Sequence, residues 1–190
     1  MQQREDRARR SGIIAPGSDG LAGGVTASAS ESVSAAKAAR TVFPVVVGVS
    51  LIHMLNDSMQ SVVPAIMPAM QNSFNLTYTQ IGLAIFMLNI TSSVLQPAIG
   101  MYSDRRPSPF MLPLGMLLSL IGLAGIALAP NYAMLLASIV FVGLGSAIFH
   151  PEGSKVVYLA AGSRRGLAQS IYQVGGNGGC SLQPLMTRYL

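Results

Sequence analysis

From Thr41 onward the apolar residues run in long stretches, which recur at about 42–70, 80–102, 109–129, 132–161 and 166–187. Each stretch is near or above the ~20 residues that an α-helix needs to cross a bilayer core, so the pattern predicts an all-α integral membrane fold with about five transmembrane helices. The interruptions carry turn chemistry: NSFNLTY at 72–78, SDRRPSP at 103–109, PN at 130–131 and GSRRG at 162–166. All four are short, so successive helices are expected to be antiparallel neighbours. Residues 1–40 are rich in Gly, Ser and Ala and contain no apolar run long enough to bury. They are read as a disordered cytoplasmic tail ahead of a membrane domain at 41–190.

The polar residues inside the spans are few and patterned. In the first span His53, Asn56, Asp57 and Gln60 stand at i, i+3, i+4 and i+7, which places them on one helix face. Asn89, Ser92, Ser93 and Gln96 repeat the spacing in the second span, and Gln169, Gln173 and Asn177 form a stripe in the fifth. An ionisable side chain near the bilayer centre costs at least ~2.5–3.5 kcal/mol, so such faces turn toward the bundle interior or a water-filled cavity. The fourth span reads GLGSAIFHPEGSK, with His150, Pro151 and Glu152 in the middle of an apolar region. Pro151 removes a backbone donor and is expected to kink the helix and free carbonyls toward a cavity. The competing structural reading is that Gly143, Gly145 and Ser146 permit close packing, that His150 and Glu152 satisfy one another or a neighbour, and that the amides are interhelical glue.

Composition agrees with the pattern. Of 190 residues 51% are hydrophobic and 10% charged, and the mean hydropathy is +0.50. Ten of the charged residues lie in the first 40 positions, leaving nine for the rest. A soluble domain has about a quarter of its residues charged, so that class is excluded. The net charge of +5 does not point to nucleic acid, because the cations cluster between apolar stretches. Arg4, Arg7, Arg9, Arg10, Lys37 and Arg40 are in the tail, Arg105 and Arg106 in the second connection, and Arg164 and Arg165 in the fourth, while the first and third connections have none. The positive-inside rule then makes the amino terminus cytoplasmic; only Lys155 and Arg188 depart from it. The single cysteine, Cys180, excludes a disulfide framework and a cysteine-based zinc site. The 11 methionines are read as packing or lipid-facing residues, and no metal ligand or cofactor is expected.

The loop GMYSDRR, with Gly100, Asp104 and Arg105, resembles the signature of the major facilitator superfamily, a glycine followed four residues later by an acid and then a base. With HMLNDSMQSVVPAIMP, SSVLQPAIG, GLGSAIFHPEGSK and GLAQSIYQVGGNGG, the chain resembles the fosmidomycin resistance protein-like branch of that superfamily over about 41–184. It departs where the family loop continues with glycine and further basic residues, since Pro107, Ser108 and Pro109 stand there, and where antiporters carry Gly-Pro, since Gln183-Pro184 stands there. The resemblance implies a multi-pass inner-membrane protein that exports a small drug in exchange for protons. Asp57, Glu152, His53 and His150 would couple the proton. Asn56, Gln60, Asn89, Gln96, Lys155, Gln169, Gln173 and Asn177 would line the substrate cavity, and Gly100, Asp104 and Arg105 would form a gating loop. Because members have twelve helices in two halves, the chain is expected to be an incomplete, inactive amino-terminal part, whose partners are substrate, protons, lipid and the missing remainder. The alternatives are an inert fragment, a fragment that pairs with another helical chain, and an intramembrane serine protease using Ser146. The protease reading is weak, because Ser146 lacks a following glycine and His150 lies on the same helix four residues on.

Overall fold

The computed structural model describes residues 40–189, and the tail expected to be disordered lies outside the described residues apart from Arg40. Five long helices and one short one follow in order: α1 Phe43–Phe74, α2 Tyr78–Arg105, α3 Met111–Ala127, α4 Tyr132–Ala160, α5 Arg165–Cys180 and α6 Gln183–Tyr189. The fifth apolar stretch, read from sequence as continuous over 166–187, is thus divided by a turn at Ser181 and Leu182. The turn is closed by the Ser181 N–H and Oγ, which both donate to the Asn177 carbonyl, at 3.0 and 2.7 Å.

Local chemistry sets the ends. Asn75 closes α1 in the left-handed conformation (φ 52°), its N–H donating to Gln71 O, a conformation that asparagine tolerates. Two residues later a capping box opens α2: Gln80 N–H donates to Thr77 Oγ1 at 3.3 Å, and Thr77 N–H donates to Gln80 Oε1 at 2.9 Å. Asn131 caps α4 by accepting from Met134 N–H at 2.9 Å. At the other end of α4, Val42 N–H and Thr41 Oγ1 donate to the carbonyls of Ala160 and Ala161, satisfying acceptors that a helix C-terminus leaves free. Arg165 stacks over the Tyr158 ring at 4.4 Å, tying the start of α5 to the end of α4.

The helix α4 is the hub, packing on α3, α2, α1 and α5, while α5 packs chiefly on α1. The expectation that chain neighbours are packing neighbours therefore holds for α3 and α4 but not for α1 and α2, which barely touch. Small residues decide this. A Cβ at Gly122 would lie 2.6 Å from Val142 N and 2.7 Å from Ser138 O, and one at Gly115 would lie 2.8 Å from Gly145 O, so α3 and α4 meet backbone to backbone. Gly175 and Gly179 do the same for α5 against Ser50 and Met54 of α1. Pro151 does not interrupt α4, which stays helical from Tyr132 to Ala160.

Two apolar clusters fill the interior. One, at the end bearing the 75–77 and 128–131 turns, includes Val63, Met67, Leu76, Leu88, Leu135 and Ile139. The other, toward the 161–164 turn, includes Val46, Val49, Phe149, Val157 and Tyr172. The outer faces are apolar too: Leu51, Leu55, Val94, Leu117, Leu120, Leu159 and Val174 are all exposed. Buried Ser50, His53, Asn56, Ser119, Ser146 and Glu152 lie within. Apolar outside and polar in the middle is the distribution that lipid demands. By length and composition, α2 and α4 qualify as membrane spans, and α3 is a shorter apolar helix. The polar stripe of α1 lowers its hydropathy below that of a purely lipid-facing helix.

Gly122→Val should force α3 away from the α4 backbone and destabilise the bundle by about 1–3 kcal/mol. Gly82→Ala, where a Cβ meets nothing within 4 Å, should be neutral or stabilising. Thermal unfolding in detergent, followed by circular dichroism, checks the pair; equal melting temperatures for the two variants would contradict this packing.

Candidate functional site

Asp57 sits between two imidazoles. Its Oδ2 is 3.3 Å from His53 Nε2, one turn earlier on α1, and its Oδ1 is 3.5 Å from His150 Nε2 on α4. His53 Nδ1 lies 2.8 Å from the carbonyl oxygen of Tyr172 on α5. A carbonyl can only accept, so Nδ1 carries the hydrogen and, in the neutral ring, Nε2 presents its lone pair. The Tyr172 ring stacks on His53 with centroids 4.0 Å apart, and His150 meets His53 edge to face at 5.0 Å. Tyr172 Oη donates to the His150 carbonyl at 3.4 Å, and Asn56 Nδ2 donates to Asp57 Oδ1 at 3.2 Å. Three helices thus converge on one carboxylate. Gly176 makes room for it, since a Cβ there would lie 2.6 Å from His53 Nε2 and 2.7 Å from Asp57 Oδ2.

The cluster opens onto a cavity of about 450 Å³ lined with His53, Asp57, Gln96, His150, Ser154, Gln169, Tyr172, Gln173, Gly176 and Asn177. This wall is nearly all polar, though it lies within a bundle whose outer faces are apolar. A second cavity of about 220 Å³, on the other side of Asp57, includes Gln60, Asn89, Cys180 and Gln183.

A third group, apart from these, joins α2 to α4. Lys155 Nζ lies 2.7 Å from Asp104 Oδ1, donates to Ser103 Oγ at 2.7 Å, and is 3.7 Å from Glu152 Oε1. Ser103 Oγ donates in turn to Glu152 Oε1. Glu152 is buried, and the hydroxyl and ammonium together compensate its charge.

The sequence matches the family model of the Major Facilitator Superfamily over residues 49–190. The chain belongs to the Major Facilitator Superfamily. It is 53% identical over 151 residues to the uncharacterized MFS-type transporter YfnC of Bacillus subtilis, covering 80% of this chain and 37% of that protein. It is 48% identical over 148 residues to the fosmidomycin resistance protein of Escherichia coli, covering 78% of this chain and 36% of the relative. A more distant relative is the uncharacterized MFS-type transporter YwoD of Bacillus subtilis, 24% identical over 137 residues. The chain therefore spans only about a third of the length of these relatives, from 30% to 37%. No solved structure matches it.

The superfamily helices place the sequence-derived residues in three groups. His53, Asp57, His150, Gln96, Gln169, Gln173 and Asn177 share the larger cavity, and Gln60 and Asn89 the smaller. Asn56 lines neither. Its amide is buried, donating to Asp57 and Ser146 and accepting from Ser119 Oγ at 3.3 Å, so it ties α1 to α3 and α4. Lys155 and Glu152 also stand away from Asp57, because residues two apart on a helix point about 200° apart: His150 faces the cavity while Glu152 faces α2. The two therefore do not satisfy one another. Gly100, Asp104 and Arg105 are not a loop but the last turns of α2, which extends to Arg105. Sequence reasoning missed Tyr172, Ser103, Ser119 and Ser154. For Tyr172 a signal was present, since it adjoins Gln173 in a stretch of small and polar residues. The three serines looked like any small packing residue.

In a Cys180→Ser background, cysteines placed at Gln173 and Asn177 should react with a hydrophilic thiol reagent in proteoliposomes, while one at Val174, on the exposed apolar face, should not. Equal labelling at 173 and 174 would contradict a water-filled cavity walled by lipid-facing helices.

Proposed function

We propose that these helices form one wall of the translocation path of a proton-coupled exporter of a small drug, related in substrate to the fosmidomycin resistance protein. The observation that carries this reading is the polar cavity with a single carboxylate held between two histidines on different helices. In hydrocarbon a carboxylate and two neutral imidazoles make a poor arrangement unless a proton is shared among them. Loading that proton from outside removes the anion that stabilises the substrate-binding form and releases the substrate; its loss to the cytoplasm restores that form. Asp57 is the proton-carrying group on this reading, with His53 and His150 as relays, and the Gln96, Gln169, Gln173 and Asn177 amides supply hydrogen bonds to substrate. Gln60 and Asn89 extend the polar path through the second cavity. Glu152 serves instead with Ser103, Lys155 and Asp104 as an interhelical tie beside Gly100 and Arg105. The chemistry is carriage and not catalysis, and Ser146, buried and hydrogen-bonded to Gln60 Oε1 at 2.5 Å, is not poised as a nucleophile.

The charge pattern supports a topology with Arg105 and Arg164 on the cytoplasmic side of the inner membrane, Asn75 and Asn131 outside and the amino terminus cytoplasmic. Alternating access needs two halves rocking about a site between them, so the 190 residues alone supply a wall and not a transporter. They would be inert unless they pair with further helices.

In a full-length relative carrying the same motifs, Asp57→Asn should reduce drug-driven proton movement to background while leaving membrane insertion intact. Glu152→Gln should retain it at lower protein stability. Undiminished proton movement with Asp57→Asn, or its loss with Glu152→Gln alone, would contradict the assignment. Cysteines at 105 and 164 should label with an impermeant reagent from the cytoplasmic side, and those at 75 and 131 from outside. Labelling of all four from one side would contradict the topology.

A further inference from the structure

The amide stripes suggested hydrogen bonding to an organic substrate and gave no metal ligand, yet the fold brings two imidazoles and a carboxylate onto one point. We propose that His53 Nε2, the Asp57 carboxylate and His150 Nε2 form a binding site for one divalent transition-metal ion, best suited to Zn²⁺, with a fourth position open to the polar cavity.

The distances carry the argument. Each imidazole nitrogen is already 3.3 or 3.5 Å from an Asp57 oxygen, and one ligand atom from each of the three residues lies within 4.8 Å of the others. In a tetrahedral zinc site with bonds of about 2.0–2.2 Å the ligand atoms stand roughly 3.3–3.6 Å apart. Because the two nitrogens face different oxygens of Asp57, closing the site on one oxygen requires the imidazoles and the carboxylate to shift by no more than roughly 1 Å. The lone pair of His53 is also prepared. His53 Nδ1 is committed to the Tyr172 carbonyl, the outer-shell bond that fixes the tautomer of a metal-binding histidine and aims the other nitrogen at the metal. That other nitrogen is buried and has no hydrogen-bond partner among the described residues. Asn56 steadies the carboxylate through Oδ1, the oxygen that also faces His150. Gly176 keeps clear the space that a side chain would fill, since its Cβ would contact both His53 Nε2 and Asp57 Oδ2.

The donor set selects the ion. Two imidazoles and one carboxylate suit zinc and its first-row neighbours, whereas Ca²⁺ and Mg²⁺ require more oxygen ligands. With one carboxylate the occupied site carries a charge of +1, so its open position takes water, hydroxide or an anionic oxygen. The metal would take the lone pairs that otherwise share a proton. The inference rests on the cluster geometry and not on the transport reading.

The test uses the whole 190-residue chain in detergent, stripped with a chelator and then loaded with Zn²⁺. One equivalent should survive desalting. Its X-ray absorption spectrum should show oxygen and nitrogen neighbours at about 2.0–2.1 Å with the outer-shell scattering of two imidazoles. His53→Gln and His150→Gln should each lose the retained equivalent, and Cys180→Ser, whose Sγ is 4.0 Å from Asp57 Oδ2, should keep it. No retained zinc, zinc without imidazole scattering, or a sulfur neighbour would each overturn the proposal. The spectrum of the unsubstituted chain decides the matter even if a variant fails to fold. None of these outcomes bears on drug-driven proton movement, so failure here and failure of the transport reading are distinguishable.

Discussion

A carboxylate halfway along a helix in hydrocarbon must find partners within the protein, and Asp57 draws three helices together to supply them. His53 comes from its own helix, one turn back; His150 comes from α4; and Tyr172 on α5 holds His53 through a backbone carbonyl. Leaving such a group with neither a protein partner nor cavity water would cost several kcal/mol. Much of the geometry of α1, α4 and α5 follows from this demand. The glycines of α5 let its backbone come close to Ser50, Met54 and the cluster itself, and a larger residue at Gly176 would occupy the space that the carboxylate and imidazole need.

The same economy of polar groups explains why α4 is the hub. Its Gly143 and Gly145 faces accept α2 and α3 closely, and its Ser146 and His150 face α1 while Glu152 and Lys155 turn toward α2. One helix thus satisfies two separate polar groups on two sides. Apolar clusters lie to either end, so the polar layer is enclosed within the bundle and reaches water through its cavities.

Much of this was legible in the sequence. The spans, their connections and the stripe His53, Asn56, Asp57, Gln60 follow from spacing alone, because a 3.6-residue period fixes which residues share a face. The divergence of His150 and Glu152 was also encoded in their spacing of two. What spacing could not reveal was partner choice. Nothing local to α2 shows that Ser103 and Asp104 meet Lys155, or that α1 leans on α5 and not on α2, because those contacts depend on how closely glycine-bearing faces approach. Asn56 shares the face of Asp57, yet its amide is consumed between α1, α3 and α4, a fate set by neighbours distant in sequence. The break after Cys180 was hidden because the apolar run continues through it.

The account turns on the state of one ring. If the Tyr172 carbonyl holds Nδ1–H of His53, the neutral imidazole presents an Nε2 lone pair to Asp57, and the cluster is built to share a cation. Nitrogen-15 NMR of the chain in detergent, with His53 assigned by comparison with His53→Gln, reads the tautomer directly. The expected result is a neutral ring protonated at Nδ1 and bare at Nε2. A neutral ring protonated at Nε2 would contradict the account, because the Tyr172 contact would then lack its hydrogen and His53 would donate to Asp57 as an ordinary structural histidine.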